Sequence, residues 1–210
     1  MNKLYRNALG GRKWARGFSM IELLIALSIT GTLLAATLTA LDSSFKSYKL
    51  TTETASTHVV TRMVMSRVMA MIRTGTEFGP YPADVLDTTQ NPVVSDAIEF
   101  TTWEEPTTLQ RRIVRVERRA QADAERGPFE LWYVETNLTA GVVTSTVERP
   151  LITGVLEARF TLEYSVGPRL RRATVDLTVR PNDFQDASFS NDLETPAIRL
   201  VSTVNPRRLD

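Results

Sequence analysis

The fold of this chain is decided by the stretch Arg16-Gly17-Phe18-Ser19-Met20-Ile21-Glu22-Leu23-Leu24-Ile25-Ala26-Leu27. It opens an apolar run of 24 residues from Phe18 to Leu41, in which Glu22 is the only charged residue. At ~1.5 Å per helical residue the run spans roughly 36 Å, enough to cross the ~30 Å hydrocarbon core of a bilayer. The run therefore predicts a transmembrane helix. A carboxylate there costs about 2.5–3.5 kcal/mol on insertion scales, so Glu22 requires a reason.

The charges divide the chain into two oppositely charged parts. Residues 1–17 contain five basic residues and no acidic one, whereas the remainder holds 20 basic and 24 acidic residues, a net charge of −4. A basic flank before the first span keeps that end in the cytoplasm and sends the rest across the membrane. We therefore expect a single-pass protein with a cytoplasmic N-terminus and an extracytoplasmic body.

A secretory signal peptide has the same order of basic and apolar segments. Its apolar core is only about 7–15 residues long, and a small-x-small cleavage site follows that core. The run from Phe18 to Leu41 is longer, and the nearest candidate site, Ala35-Ala36-Thr37, lies deep within it. The sequence therefore favours an anchor that is retained.

The segment Gly17-Phe18-Ser19-Met20-Ile21-Glu22-Leu23-Leu24, preceded by basic residues, resembles the processing site of type IV prepilins and type II secretion pseudopilins. The resemblance implies that a prepilin peptidase/methyltransferase cuts after Gly17, removes the basic leader 1–17 and N-methylates Phe18. It also implies that Glu22 pairs with the terminal amine of a neighbouring subunit during assembly. The alternative is that Glu22 merely reaches the membrane interface.

The resemblance implies an α+β, pilin-like fold, and the sequence beyond the membrane span fits that architecture. From Asp42 to Thr74 there is no Pro or Gly, and apolar or small residues recur at helical spacing. We predict a transmembrane helix over 18–41, its extracytoplasmic extension over 42–74, and a helix stop at Gly75. Two stripes lie on the extension: Phe45, Tyr48, Thr52, Ala55, Val59 and Met63 form the first, and Val60, Val64, Val68 and Met71 form the second, which we expect to pack on a sheet.

Residues 75–210 predict a β-rich globular domain. The first part, 75–95, is rich in Gly, Pro, Asp and Thr and predicts an irregular loop. Alternating apolar and polar residues then predict short strands, with an antiparallel hairpin through Val166-Gly167-Pro168. The predicted strands are 96–102, 111–118, 129–136, 142–148, 159–165, 173–180 and 197–204.

The chemistry of the chain points away from catalysis. It has no cysteine, which excludes disulfides, zinc thiolate sites and thiol nucleophiles. Its single histidine, His58, lies on the predicted helix, away from any expected pocket, which excludes a histidine-dependent triad and a metal site with several histidines. We predict no enzymatic activity and no required cofactor. An anchored hydrolase that uses paired carboxylates stays open as an alternative, although no motif proposes one.

Two charged segments are weaker candidates for binding sites. The first contains Asp183, Asp186, Asp192 and Glu194 without a basic residue; such oxygen ligands could hold calcium, but a solvated connection is favoured because no fixed ligand spacing is present. The second is the arginine-rich segment 111–119, for which we predict a solvated or subunit-contact surface rather than nucleic-acid binding. The arginines of that segment are Arg111, Arg112, Arg115, Arg118 and Arg119.

The resemblance and the length of the β-rich part predict a minor subunit, most similar to a J-type minor pseudopilin or a W-type minor pilin. Such subunits are expected to act in a tip or priming complex, anchored in the bacterial inner membrane with the globular domain in the periplasm. The implied partners are the processing peptidase, other minor and major pilins or pseudopilins, and the inner-membrane assembly platform. The alternative is a membrane-anchored extracytoplasmic binding module that never joins a fibre.

Overall fold

The computed structural model describes residues 17–121, 129–167, 169–180 and 197–207. Its first element is helix α1, Met20–Thr74, which is 55 residues long. The chain divides into two compact units, Met1–Tyr48 and Lys49–Asp210. Helix α1 belongs to the first unit up to Tyr48 and to the second unit from Lys49.

In the first unit, every residue from Gly17 to Tyr48 is exposed. Helix α1 is long and apolar enough to cross a membrane, as the sequence predicts. The threonines in the apolar part bond to the helix itself: Thr30 Oγ1 donates to Ala26 O at 2.7 Å, and Thr39 Oγ1 to Ala35 O at 2.9 Å. Because these hydroxyl groups find partners within the helix, they can enter an apolar environment without an unpaired donor.

In the second unit, the strands form one antiparallel sheet in the order β1-β3-β4-β5-β6-β7-β8, with β2 paired to β6. Neighbouring strands joined by short turns account for most of this order, since consecutive elements usually pair. The described strands are β1 (Thr76–Gly79), β2 (Val93–Ser95), β3 (Ala97–Glu105), β4 (Gln110–Ala120), β5 (Phe129–Thr139), β6 (Val142–Ser165), β7 (Arg169–Val179) and β8 (Ile198–Val204). The predicted α+β, pilin-like arrangement is confirmed.

The C-terminal part of α1 contributes one face to the core of the sheet. Its buried residues recur at helical spacing, and they share a cluster with buried strand residues such as Phe100 and Phe160. The predicted second stripe is only half right, because Val60 is 45% exposed. The buried face is rotated around the helix axis relative to the predicted stripe. Its buried residues are Thr61, Val64, Met65, Val68 and Ile72.

Two predictions about the strands are wrong. The segments 142–148 and 159–165 belong to one strand, β6, because its ladder continues across Pro150 with small register shifts against β5. The segment 75–95 is not wholly irregular, since β1 pairs with β3 and β2 pairs with β6. The hairpin between β6 and β7 is as predicted, with Thr161 opposite Thr174.

Gly75 follows the helix for a reason that the sequence does not show. It is buried, and a Cβ built on it would lie 2.6 Å from Cδ2 of Phe100. The ring of Phe100 is fully buried, so it has no free space into which it could move. Glycine is therefore required here by the close approach of the helix end to the sheet.

Candidate functional site

The candidate site is the start of helix α1. Gly17, Phe18 and Ser19 are not helical, and the helix begins at Met20. The backbone N–H of Ser19 donates to Oε2 of Glu22 at 2.8 Å, and the backbone N–H of Ile21 donates to Oγ of Ser19 at 3.3 Å. This is a capping box, in which a serine and a glutamate three residues later each satisfy a backbone N–H at the helix N-terminus.

The capping box gives Glu22 a role that the sequence analysis missed. The pattern Ser19-x-x-Glu22 is the signal that could have revealed it. No cation lies within ion-pair distance of Glu22 in the described part of the chain, where its carboxylate accepts from the Ser19 amide. Its negative charge is also favoured near the positive end of the helix dipole. The carboxylate is therefore held at the helix start before any other chain approaches it.

The predicted cleavage site lies just ahead of this cap. Phe18 is 82% exposed, and the residues on either side of it are exposed as well. A Cβ built on Gly17 would meet no atom of the described residues within 4 Å. Packing among the described residues therefore does not require glycine at position 17. A requirement for glycine there would come from another molecule, such as a peptidase that approaches the backbone closely.

The arginine-rich segment is strand β4, and its five arginines all have carboxylate partners. Alternating residues of a strand point to opposite faces, so these pairs lie on both faces of the sheet. The contacts include Arg112 Nε to Glu135 Oε1 at 3.2 Å, and Arg119 Nη1 to Glu148 Oε2 at 2.8 Å. The others join Arg111 to Glu77, Arg115 to Glu99 and Glu117, Arg118 to Asp96, and Arg119 to Glu117. Nucleic acid would have to displace these carboxylates in order to bind here, and the prediction against nucleic-acid binding stays a prediction.

Glu117 lies at the centre of this network. Partial burial raises the pKa of its carboxyl group, but hydrogen bonds from Arg119 and Arg115, together with their positive charges, outweigh that effect. The net pKa of Glu117 therefore lies below its ordinary value. The guanidinium of Arg119 also stands 4.9 Å from the centre of the Trp132 ring. These contacts hold the outward side chains of β4 and β5 in place.

The structure describes only part of the candidates for metal binding and catalysis. Asp183, Asp186, Asp192 and Glu194 lie outside the described residues. Within the described ranges, no group of three or more His, Asp or Glu side chains could hold a metal ion. His58 lies on helix α1 and is half-buried. These observations bring no set of catalytic groups into one place in the described part of the chain.

Comparison with known proteins finds one similarity. The family model for the prokaryotic N-terminal methylation motif matches residues 15–38. No curated protein and no solved structure matches the chain. Gly17, Phe18 and Glu22 all fall within the matched range, while the sheet lies entirely beyond it. The chain thus carries a prepilin-type methylation motif at the start of a long apolar helix, followed by an antiparallel sheet.

Proposed function

We propose that this chain is a minor pseudopilin or minor pilin, a structural subunit of a type II secretion pseudopilus or a type IV pilus. The observation that carries the proposal is the methylation motif over residues 15–38, placed at the start of an apolar helix that is exposed up to Tyr48. Such a helix must be covered by lipid or by other helices, because its apolar side chains find no cover in the described part of the chain. A subunit that moves from membrane to fibre exchanges one cover for the other.

Within that class, we assign the chain to a tip or priming complex, where a J-type pseudopilin or a W-type pilin would act. The length of the β-rich part, residues 75–210, supports this assignment. The partners would be the prepilin peptidase/methyltransferase, other minor and major subunits, and the inner-membrane assembly platform. The protein would work by assembly, without turnover, with its sheet in the periplasm.

Glu22 would have two successive roles in this proposal. In the precursor it caps the helix by accepting from the Ser19 amide. Cleavage after Gly17 would create a new cationic amine at Phe18. In a low-dielectric membrane, an ionised carboxylate is stabilised by an opposite charge. The amine of a neighbouring subunit would supply that charge during assembly.

Two substitutions separate the capping role from the charge. Glutamine can close a capping box but carries no charge, whereas alanine can neither close the box nor carry a charge. We expect Glu22→Gln and Glu22→Ala to insert and to be processed, and both to fail to enter the fibre or tip complex. Co-purification with partner subunits from the membrane of the native host measures entry. The matched control is Ser19→Ala, which removes the cap acceptor and keeps the carboxylate.

Two outcomes would contradict the assembly role of the charge. If Glu22→Gln assembles like the unaltered chain while Glu22→Ala does not, Glu22 acts through the cap alone. If both variants assemble normally, the carboxylate has no part in assembly. Processing without any association of the unaltered chain with other subunits would favour the alternative, a membrane-anchored binding module.

A further inference from the structure

The outer face of helix α1 in the second unit carries exposed apolar and small side chains. Val59 and Met63 are 60% and 68% exposed, and Ser66 and Ala70 are also exposed. These four residues are spaced by four, three and four positions, which places them along one line of the helix. The line lies opposite the buried face that contains Val68 and the other core residues of α1. It contains Val59 and Met63, the last two residues of the first predicted stripe, and the sheet leaves both uncovered.

Three arginines flank this line. Arg62, Arg67 and Arg73 are exposed, and from Thr54 to Thr74 the helix has no acidic residue. Arg62 and Arg73 are eleven positions apart, so they lie on nearly the same side of the helix, separated by ~16 Å at ~1.5 Å per residue. Among the described residues, no carboxylate forms an ion pair with any of the three.

Most arginines in the middle of the sheet, in contrast, have acidic partners. All five arginines of β4 contact carboxylates, and Arg172 and Arg199 on the neighbouring part of the sheet do so as well. Within the described residues, these seven arginines of the sheet have acidic partners, whereas Arg169 and Arg171 of β7 and the three arginines of the helix have none. On the helix, the cations without an acidic partner in the described residues flank an apolar line. That arrangement is complementary to a surface with an apolar centre and carboxylates on its flanks.

A second copy of the same face does not fit this surface. Symmetric packing would place the arginines of one helix beside those of the other, and like charges across an interface are costly. The carboxylates of the sheet that contact arginines, such as Glu117 and Asp176, are already committed within their own chain. We expect the complementary acids on a different protein, and a non-symmetric contact with an exposed acid of a second copy, such as Glu104, is distinguished by the test below.

We propose that this basic helix face, formed by Val59, Met63, Ser66 and Ala70 with Arg62, Arg67 and Arg73, binds an acidic helix of a different subunit. The inference rests on the proposed function, because it takes the partner to be another subunit of the same assembly. The partner helix carries small or apolar residues along its centre and Asp or Glu on its flanks. Selection by charge would determine which subunit stands beside this one.

Photo-crosslinking of the full chain in its native host tests the proposal. We place the crosslinking residue p-benzoylphenylalanine at position 66 in place of Ser66, and in a control at position 165 in place of the exposed Ser165. Peptide mass spectrometry identifies the attached molecule. We expect position 66 to capture a different chain that carries a prepilin-type methylation motif, through a peptide with net negative charge. Position 165 should not capture that peptide.

Charge reversal gives the matched control. Arg62→Glu with Arg73→Glu should lower the yield of this crosslink by about tenfold or more, the change that corresponds to losing one decade of affinity. Arg169→Glu with Arg171→Glu, two exposed arginines of β7, should leave the yield unchanged. Because reversal could also disturb folding, added salt provides a second measurement: the unaltered chain in isolated membranes should lose the crosslink as salt rises.

Several results would overturn the inference: capture of a second copy of this chain, of phospholipid or of nucleic acid, no capture at all, or a crosslink that ignores the arginine reversal and salt. The proposed function fails in a different way, by retention of the leader and absence from any fibre. A processed chain that assembles without an acidic partner at position 66 would refute only the basic helix face.

Discussion

Helix α1 uses apolar side chains in opposite ways in its two parts. From Met20 to Tyr48 every residue is exposed, including large ones such as Leu33. From Lys49 to Thr74 only one face of the helix is buried, and on that face Ile72 is fully buried against the sheet. Apolar residues on all sides indicate a helix that needs an environment outside its own chain, whereas a single buried stripe indicates a helix completed by its own domain. One helix is therefore suited to an apolar environment outside its own chain in its first part and to the core of its own domain in its second part.

The largest expected effect comes from separating the second part of the helix from the sheet. A fragment that begins at Asp42 keeps the whole buried face and should fold as a soluble monomer. A fragment that begins at Gly75 loses five buried helix side chains, each worth about 1.5–3 kcal/mol for the larger apolar ones, against a typical stability of about 5–15 kcal/mol. It should aggregate. Size-exclusion chromatography with circular dichroism distinguishes the two.

A well-folded monomer from Gly75 onward would contradict this account of the second unit. It would show that the helix is only a tether and that the sheet closes its own core. That result would also give weight to the anchored binding module, since the helix would then have no structural part in the domain.

A smaller effect is expected from single substitutions in the two parts of the helix. Ile72→Ala removes a fully buried side chain and should lower the free energy of unfolding by about 2–5 kcal/mol. Leu33→Ala alters a residue that is 65% exposed and should change that free energy by less than about 0.5 kcal/mol. Urea unfolding of the full chain in detergent micelles, followed by near-ultraviolet circular dichroism, measures both. Equal losses would mean that the two parts are not distinct.

The smallest effect concerns pH. The pKa of Glu117 in the folded chain lies below its ordinary value of 4.5. The charged carboxylate therefore stabilises the sheet fully above that value, and this contribution is lost as the pH falls through the lower, folded pKa. Acid titration of the fragment from Asp42 should show a loss of stability below about pH 4.5 that Glu117→Gln reduces. An unchanged acid profile in this variant would remove Glu117 from the stabilising network.

Much of the fold could be predicted because its signals are local. The apolar run after Phe18 and the alternation in β7 follow from the spacing of side chains along the chain. The rotation of the packing face could not be predicted, because Val60 and Thr61 are neighbours and only the position of the sheet decides which is buried. The glycine at position 75 is likewise explained by Phe100, which lies 25 positions away.

In the candidate site, too, local signals could be predicted and contacts between distant residues could not. Gly17, Phe18 and Glu22 could be found because the motif is contiguous, and the capping box was readable from Ser19 and Glu22. The partners of the β4 arginines could not be assigned from the sequence. They depend on the strand register, which places acids such as Glu148 of β6 beside Arg119 of β4 across β5.

Processing of the motif at the start of α1 is measured by mass spectrometry of the protein isolated from its native membrane. We expect a chain that begins at N-methylated Phe18, with residues 1–17 removed, and a Gly17 variant with a bulky residue that keeps the leader. A mature protein that retains Met1, or that begins near Ala36 as a secreted protein would, would show that the motif is not a prepilin processing site.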